Sequence, residues 1–311
     1  MCMRNKPLIS IIVPNYNYSE FLDGRFCSIF AQTYDNYEVI ILDDCSSDDS
    51  LKVIDKYKDN KKVSKVIINE INSGSPFKQW EKGINNAAGE IIWIAESDDL
   101  CEPTFLETLV ESYLLGDAVM AFCRSKLIDV HGDKLRENFQ MSETKADICW
   151  EGLDFIKNIL CLRNEVQNAS SVIFSKSVAC SVNKNFMSYK GAGDWLFWLE
   201  IAEKGNVCFV NRELNQYRLH QNTTSIVVKS GVEFREMKQI YHWLYEKGYL
   251  TDAQLKKCRI ENLLLIDSIH DIPSGVKHSL FSMWNADWRT KMKMHVIKIY
   301  AWLRSSIFSF L

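Results

Sequence analysis

The chain has 311 residues, of which 47% are hydrophobic and 25% charged, so it can build one large domain with an appendage or two modest domains. This composition excludes a disordered protein. The net charge of −3 gives no overall positive field, so the composition predicts no nucleic-acid partner. No apolar run approaches the ~18 residues of a membrane-spanning helix.

The ten cysteines are scattered singly, without a C-x-x-C pair or the spacing of a zinc site. Several lie inside apolar runs, as Cys123 and Cys208 do, where a reduced thiol acts as a small hydrophobic residue. This pattern predicts free thiols and a reducing, cytoplasmic compartment.

The first hundred residues alternate short β-branched runs with segments of helical periodicity. Such alternation predicts βαβ units and an α/β fold, with a doubly wound, mostly parallel sheet flanked by helices. Ligands of such sheets bind beyond the carboxyl ends of the strands. The predicted strands cover residues 8–13, 37–43, 65–69 and 91–95.

Polar clusters follow each of these strands and therefore converge on one crevice. They are Pro14 to Asn17, Asp43-Asp44, Asn72 to Ser75 and Glu96 to Asp99. Neither G-x-G-x-x-G nor a P-loop motif is present, so phosphates need another form of neutralisation. Asp44 is placed to accept hydrogen bonds from a base or ribose, although it could equally cap a helix.

The acidic turn Glu96-Ser97-Asp98-Asp99 puts three carboxylates at the end of a buried strand. Their mutual repulsion and desolvation favour a hard divalent cation held by oxygen ligands. The alternative is that Asp98 or Asp99 caps the helix that Pro103 opens. On this stretch alone both interpretations stay open.

The second half of this region continues with strands at 117–123, 170–175 and 206–210, a helix at 152–162 and a polar, irregular excursion at 134–150. Asp194 begins a helix that reads as amphipathic, and it is either an N-cap or a catalytic base. Trp195 and Trp198 serve either the core or an acceptor platform.

The tail becomes helical after a composition shift near residue 226, with helices predicted at 232–247, 252–269 and from 276 to the end. The last stretch mixes Arg289, Lys291 and Lys293 with tryptophans and aliphatic residues. A basic amphipathic helix of this kind either lies in a membrane interface or packs on protein.

Several stretches together resemble the family 2 glycosyltransferases, which are inverting, nucleotide-sugar-dependent enzymes of the GT-A fold. They are Ile9 to Asn17, Gln32-Thr-Tyr34, Tyr37 to Asp48, Asn72-Ser-Gly74, Asn85 to Gly89 and Trp93 to Asp99. The resemblance implies that Glu96-Ser97-Asp98 is the D-x-D element, with Asp98 binding a divalent metal, Mn²⁺ or Mg²⁺. The nucleotide-binding residues that it implies are Pro14, Tyr16, Asn17, Asp44, Asn72, Glu96 and Ser97.

The same resemblance implies that Asp194 is the general base, with Gly193 in place of the family's accompanying Glu. It matches Arg218 and His220 to the closing element, where both reach the diphosphate or His220 completes the metal shell. It covers residues 7 to 225, so we predict a catalytic domain at 1–225 and a helical extension at 226–311.

The predicted function is transfer of a sugar, from a UDP-sugar, to a carbohydrate or lipid-linked acceptor in bacterial surface polysaccharide biosynthesis. The predicted location is the cytoplasm, and more narrowly the inner face of the cell membrane if the C-terminal helix binds lipid. Two alternatives remain. A nucleotidyltransferase also places carboxylates and a metal at a sheet edge, and an inactive nucleotide-sugar-binding module fits Glu96 and Gly193 at motif positions.

Overall fold

The computed structural model describes residues 6–136, 138, 140–141, 144–219 and 229–297. The chain forms two units, the first comprising Met1–Tyr189 and Gly193–His220 and the second Lys190–Ala192 and Gln221–Leu311.

The first unit is an α/β structure whose elements follow the predicted alternation. Its helices are α1 (Ser19–Phe30), α2 (Ser50–Tyr57), α3 (Pro76–Asn86), α4 (Phe105–Leu115), α5 (Gly152–Phe155), α6 (Lys176–Ser181) and α7 (Gly193–Ala202). Its strands are β1 (Ile9–Asn15), β2 (Tyr37–Asp43), β3 (Val63–Ile68), β4 (Ile91–Ile94), β5 (Leu100–Cys101), β6 (Ala118–Ile128), β7 (Ile148–Trp150), β8 (Val172–Ser175) and β9 (Asn206–Arg218).

The strands form one mixed sheet in the order β3-β2-β1-β4-β8-β6-β9-β5, with β7 also paired to β9. The β3-β2-β1-β4 half is parallel throughout. β8 is antiparallel to both β4 and β6, while β6 and β9 are parallel. The prediction of an α/β sheet flanked by helices is confirmed, and the run of parallel strands brings the turns after β1, β2 and β4 to one edge.

Burial explains why the strand runs carry few polar residues. β1 and β4 are buried along their whole length, as expected for strands covered on both faces. The prediction of an amphipathic helix at Asp194 is wrong, because α7 is buried at every position from Trp195 to Ala202. A helix that is apolar all round belongs to the interior, and Trp195 and Trp198 are core residues at 2% and 0% exposure.

Four strands differ from the sequence prediction. The two-residue β5 and the three-residue β7 were not predicted, β6 continues to Ile128 instead of ending at Cys123, and β9 continues to Arg218 instead of ending at Val210. The added residues pair with strands that are far away in the sequence, which local periodicity cannot reveal.

Two cysteines are joined in a disulfide, so the prediction of free thiols is wrong for them. Cys149 and Cys208 face each other across the β7–β9 pair and are bonded. Among the other cysteines of the described residues, Cys101, Cys123, Cys161 and Cys258 are buried. Pairing across strands requires a register that single-residue spacing along the chain does not encode.

The second unit contains the helices α8 (Val232–Glu246), α9 (Asp252–Ser268) and α10 (Ser274–Met283), followed by α11 at 288–297. A capping box between Thr251 and Gln254 opens α9. The predicted continuous last helix is wrong, since residues 284–287 separate α10 from α11. The carboxylate of Glu236 accepts the backbone N–H groups of residues 190–192 at 2.7, 2.8 and 2.9 Å, which ties that segment to this unit.

Across the described ranges, none of the helices combines the length and apolarity needed to span a bilayer.

Candidate active site

The turn after β1 is tied to the turn after β2. Asn15 Nδ2 donates to Asp43 Oδ2 at 2.8 Å and to Ser46 Oγ at 3.1 Å. Asn17 has a φ of +58°, a left-handed conformation that asparagine tolerates, and its Oδ1 accepts the Ser47 N–H at 2.7 Å. The polar residues of these two turns therefore form one rigid ledge at the sheet edge.

Asp44 is the centre of a hydrogen-bond cluster in the turn after β2. Its Oδ1 accepts from Asn69 Nδ2 at 2.6 Å, from the Ser73 N–H at 2.9 Å and from Gln79 Nε2 at 2.9 Å. Its Oδ2 accepts from Ser73 Oγ at 2.7 Å, and its backbone oxygen accepts from Asn72 Nδ2 at 3.1 Å. Most of the carboxylate's acceptor capacity is thus filled by protein, so Asp44 shapes the loop at 69–79 whatever it contacts in a ligand.

The acidic turn lies against the end of β1. Ser97 is 2% exposed, and its hydroxyl donates to the backbone oxygen of Pro14 at 2.6 Å. Tyr16 is 47% exposed on the neighbouring turn, with its ring open to solvent. The two predicted nucleotide-binding stretches are therefore in contact, and Tyr16 offers the accessible aromatic surface between them.

Glu96, the first residue of the acidic turn, is half-buried. Trp80 Nε1 donates to its Oε1 at 2.8 Å, and its backbone N–H donates to Ser170 Oγ at 3.0 Å. Burial, and next the charge of Asp98, raise the pKa of Glu96 to about 8. The repulsion expected among three carboxylates is thereby reduced, because Glu96 holds its proton at neutral pH when no ligand is bound.

Asp99 is fully enclosed and braces the turn. Its Oδ1 accepts the Arg218 N–H and its Oδ2 accepts Asn168 Nδ2, each at 2.9 Å. Burial and then the charge of Asp98 raise its pKa to about 6. The proposed helix cap is excluded, because α4 begins at Phe105 after Thr104 and no side chain caps it.

Asp98 and Arg218 lie side by side at the mouth of the turn. Arg218 Nε donates to the backbone oxygen of Asp98 at 2.7 Å, and its guanidinium stacks over the Phe21 ring at 4.8 Å. Both features fix the guanidinium at the same sheet edge as the acidic residues. The structure therefore places Arg218 next to Asp98, and its contact with a diphosphate stays a prediction.

The turn fits a divalent cation only in a limited way. Among the described residues, no three His, Cys, Asp or Glu side chains converge to hold a metal ion. Asp99 accepts from two donors and Glu96 accepts from Trp80, so neither carboxylate offers all of its acceptor capacity to a cation. Mg²⁺ is commonly held by one or two carboxylates together with substrate phosphates and water, so the donor set suits a metal that arrives with a diphosphate.

A buried arginine that was not singled out from sequence lies behind the acidic turn. Arg25 of α1 is 0% exposed and stacks over the Trp93 ring at 5.0 Å. Within the described part of the chain, none of its guanidinium nitrogens has a hydrogen-bond partner. Its charge opposes the upward pKa shifts of Glu96 and Asp99. Its position on the face of α1 that packs into the core is the signal that could have identified it.

Asp194 lies in the first turn of α7, half-buried, where the helix N-terminus favours an anion. Asn164 Nδ2 donates to Asp194 Oδ2 at 2.8 Å. The preceding Gly193 is enclosed, since a Cβ there would lie 2.5 Å from Phe77 Cε2 and 2.6 Å from the Phe186 oxygen. The missing family Glu is therefore explained by packing.

One predicted site residue cannot be compared with the structure. His220 lies outside the described residues, and the prediction for it stays a prediction.

Three residues that contact the carboxylates were not predicted from the sequence. Asn164, Asn168 and Trp80 belong to no local motif, because each pairs with a residue that is 16 or more positions away.

Comparison with known proteins supplies the family. The model of glycosyl transferase family 2 matches residues 10–175. An uncharacterized glycosyltransferase of Haemophilus influenzae is 28% identical over 237 residues, which is 72% of this chain and 69% of the relative. A putative teichuronic acid biosynthesis glycosyltransferase of Bacillus subtilis, TuaG, is 23% identical and covers 76% of this chain and 90% of its own length.

Among solved structures, Staphylococcus aureus TarS 1-349 in complex with UDP-GlcNAc superposes with a TM-score of 0.61 at 18% identity. The alignment covers 81% of this chain and 70% of that one, and at this identity it shows a shared fold. The family match spans more than half of the sequence and includes the turns after β1, β2 and β4. The chain belongs to glycosyl transferase family 2.

Proposed function

We propose that this chain transfers a sugar from a UDP-sugar to a carbohydrate or lipid-linked acceptor in bacterial surface polysaccharide biosynthesis, with inversion at the anomeric carbon. The observation that carries this proposal is the carboxylate of Asp194, held by Asn164 at a helix N-terminus. The similarity to TuaG, a putative teichuronic acid biosynthesis glycosyltransferase, and to TarS in complex with UDP-GlcNAc supports the donor class and the type of product.

The donor binds across the turns of the parallel half of the sheet. Tyr16 offers an exposed ring for a base, and the ledge around Asn17 with the Asp44 cluster encloses the nucleoside. Arg218 is the cation beside the diphosphate, and it contacts the backbone oxygen of Asp98. We assign catalysis to residues 1–225 and treat 226–311 as a helical extension.

The chemistry is a single displacement. Asp194 takes the proton of the acceptor hydroxyl, and the acceptor oxygen bonds to the anomeric carbon while the bond from that carbon to the UDP oxygen breaks. Attack opposite the leaving group inverts the configuration. Arg218 stabilises the charge that develops on the departing diphosphate. A divalent metal held by Asp98, and by His220 as the resemblance implies, would supply further charge neutralisation to that diphosphate when bound.

Release of UDP from a panel of UDP-sugars, with and without Mn²⁺, tests the proposal. Asp194→Asn is expected to lower the rate of transfer by about 10²–10⁴-fold, because the base is lost. Asp98→Ala is expected to weaken nucleotide binding, read as a lost thermal shift with UDP and Mn²⁺. Asp154→Asn is the matched control, since Asp154 is an exposed carboxylate in the first turn of α5.

Three outcomes contradict the proposal. Pyrophosphate release instead of UDP release would identify a nucleotidyltransferase. Binding of UDP-sugars without transfer to any acceptor or to water would identify an inactive binding module. Full activity of Asp194→Asn would remove Asp194 as the base.

We further propose that α11 rests on an anionic membrane surface. It buries Thr290 and Met294, and Arg259 of α9 donates to Thr290 Oγ1 at 2.9 Å, so one face packs on protein. On the opposite face Trp288, Met292 and Val296 recur at intervals of four residues and are exposed. The exposed residues Arg289 and Lys293 flank one side of this stripe, and Lys291 and His295 flank the other.

Co-sedimentation with phosphatidylcholine vesicles, with and without phosphatidylglycerol, tests this surface. We expect binding that needs the anionic lipid and is lost in Trp288→Ala/Met292→Ala. Leu265→Ala, at an exposed apolar residue of α9, is the control that should bind as the wild type does. No binding to either vesicle, or binding that the double variant retains, refutes the proposal.

A further inference from the structure

One short loop contacts both carboxylates that the proposed reaction needs in fixed positions. Residues 163–168, called here the brace loop, precede β8. Near its start Asn164 Nδ2 donates to Asp194 Oδ2 at 2.8 Å, and at its end Asn168 Nδ2 donates to Asp99 Oδ2 at 2.9 Å. The candidate base and the acidic turn are therefore connected through one backbone segment in which three residues separate Asn164 from Asn168.

The brace loop is held rigidly by a buried glutamine outside it. Gln140 is 0% exposed, and its Nε2 donates to the backbone oxygens of Glu165 and Val166 at 2.9 and 3.0 Å. Its Oε1 accepts the N–H of Ser125 in β6 at 3.1 Å. The carboxylate of Glu165 in turn accepts the Met141 N–H at 2.8 Å. Each of these groups is buried and paired, so the loop is fixed to the sheet before any ligand arrives.

The orientation of the Asn168 amide is determined by its partners. Its Oδ1 accepts from Asn215 Nδ2 at 3.1 Å, so its Nδ2 must face Asp99. Its backbone oxygen accepts from Ser171 Oγ at 2.7 Å, and the residue is 7% exposed. Asn168 consequently fixes one oxygen of Asp99 while the N–H of Arg218 fixes the other.

We propose that Asn164 and Asn168 are positioning residues that together set the placement of the base Asp194 relative to the diphosphate-binding acidic turn. The inference rests on the proposed function, in which Asp194 takes the acceptor proton. A hydrogen bond from an amide to a carboxylate is charge-assisted and directional. A misplacement of about 1 Å can cost on the order of 10² in rate. Loss of the Asn164 amide should therefore affect proton transfer to Asp194, and loss of the Asn168 amide should affect binding of the donor at the acidic turn.

The two ends of the brace loop predict different kinetic defects. Asn164→Ala and the isosteric Asn164→Asp lower kcat by roughly 10- to 100-fold with the donor KM nearly unchanged, because only the base loses its orientation. Asn168→Ala raises the donor KM and the Kd for UDP with Mn²⁺, measured by calorimetry, by roughly tenfold with a smaller effect on kcat. Asn158→Ala, at an exposed asparagine outside the loop, is the control and leaves both constants unchanged.

A melting experiment separates the contact from folding defects. Asn164→Asp places two carboxylates at the position of the 2.8 Å hydrogen bond and lowers the melting temperature. Adding Asp194→Asn to that variant restores a donor and an acceptor with exchanged roles, so the melting temperature recovers. Absence of this recovery overturns the proposal.

The kinetic outcomes distinguish failure of the inference from failure of the proposed function. If Asp194→Asn transfers sugar at the wild-type rate, the proposed base is wrong. If Asp194→Asn is inactive but Asn164→Ala and Asn164→Asp keep the wild-type kcat, the proposed function stands and the brace is refuted. Equal changes of kcat and KM in the variants of Asn164 and Asn168 also refute it, since both ends would then act only through stability.

Discussion

A methyl group added at Gly193 tests whether packing excludes a side chain beside the candidate base. Its Cβ would lie 2.5 Å from Phe77 Cε2, 2.9 Å from Phe77 Cδ2 and 2.6 Å from the Phe186 backbone oxygen. Carbon atoms in contact normally lie about 3.5–4.0 Å apart. The Phe77 ring would have to move by about 1 Å, and the backbone oxygen of Phe186 cannot rotate away as a flexible side chain can.

Overpacking of this kind costs about 1–3 kcal/mol in the free energy of unfolding. For domains of 150–250 residues, each kcal/mol lowers the melting temperature by about 2–4 °C. We therefore expect Gly193→Ala to melt roughly 2–12 °C below the wild type, and Gly193→Glu, which restores the family's residue, to melt lower still. Since Gly193 begins α7, the shift also displaces Asp194, and kcat falls in whatever protein remains folded.

Thermal melting followed by circular dichroism measures the effect. Gly275→Ala is the matched control, because Gly275 is the second residue of α10 and a Cβ there meets nothing within 4 Å. In open space a helical Gly-to-Ala change is neutral or stabilising by up to about 1 kcal/mol. A Gly193→Ala protein as stable as the Gly275→Ala protein would refute the packing explanation.

Three further perturbations give measurable outcomes. The pKa of Glu96 is raised from 4.5 to about 8, so the native state binds a proton that the unfolded state releases, and stability falls as pH rises between these values. Glu96→Gln should remove this part of the pH dependence of melting in metal-free buffer; an unchanged pH dependence would contradict the assignment. Cys149 and Cys208, 59 residues apart, should resist alkylation in denaturant until they are reduced. Reduction should lower the free energy of unfolding by up to about 4 kcal/mol. Modification of both cysteines without reductant would exclude the bond. Asp44→Ala leaves the Asn69, Ser73 and Gln79 donors without their acceptor, so it should lower the free energy of unfolding by about 2 kcal/mol or more, measured by denaturant titration. Loss of UDP binding at unchanged stability would instead assign Asp44 to the ligand alone.

Three strands of the parallel half, β1, β2 and β4, were predictable because burial on both faces selects continuous β-branched runs, whereas β3 is exposed or half-buried at every position. Thus β2 was predicted at its observed bounds, and β1 and β4 within two residues. β5 and β7 are too short for any period, and β9 passes through Asn211-Arg212-Glu213, which interrupts the apolar pattern. The apolar residues of α7 are visible in the sequence. That nearly every face of the helix is buried depends on how many other elements pack around it.

The site was predictable to the level of which turns carry the polar residues, since parallel strands deliver those turns to one edge. The raised pKa of Glu96 was not predictable, because it depends on burial of the carboxyl group and on the nearby charge of Asp98. The contacts of Asn164 and Asn168 join residues 30 and 69 positions apart. Such pairs follow from the path of the chain in three dimensions, which spacing within one motif does not contain.

The reversal of strand direction at β4 has an evolutionary consequence. β4 is parallel to β1 and antiparallel to β8. The residues just before β8 therefore lie at the same edge of the sheet as the residues just after β4. Changes of chain length between β6 and β8 can therefore be tolerated only where they leave the brace loop at 163–168 within reach of Asp99 and Asp194. Insertions acquired during evolution are expected outside these six residues.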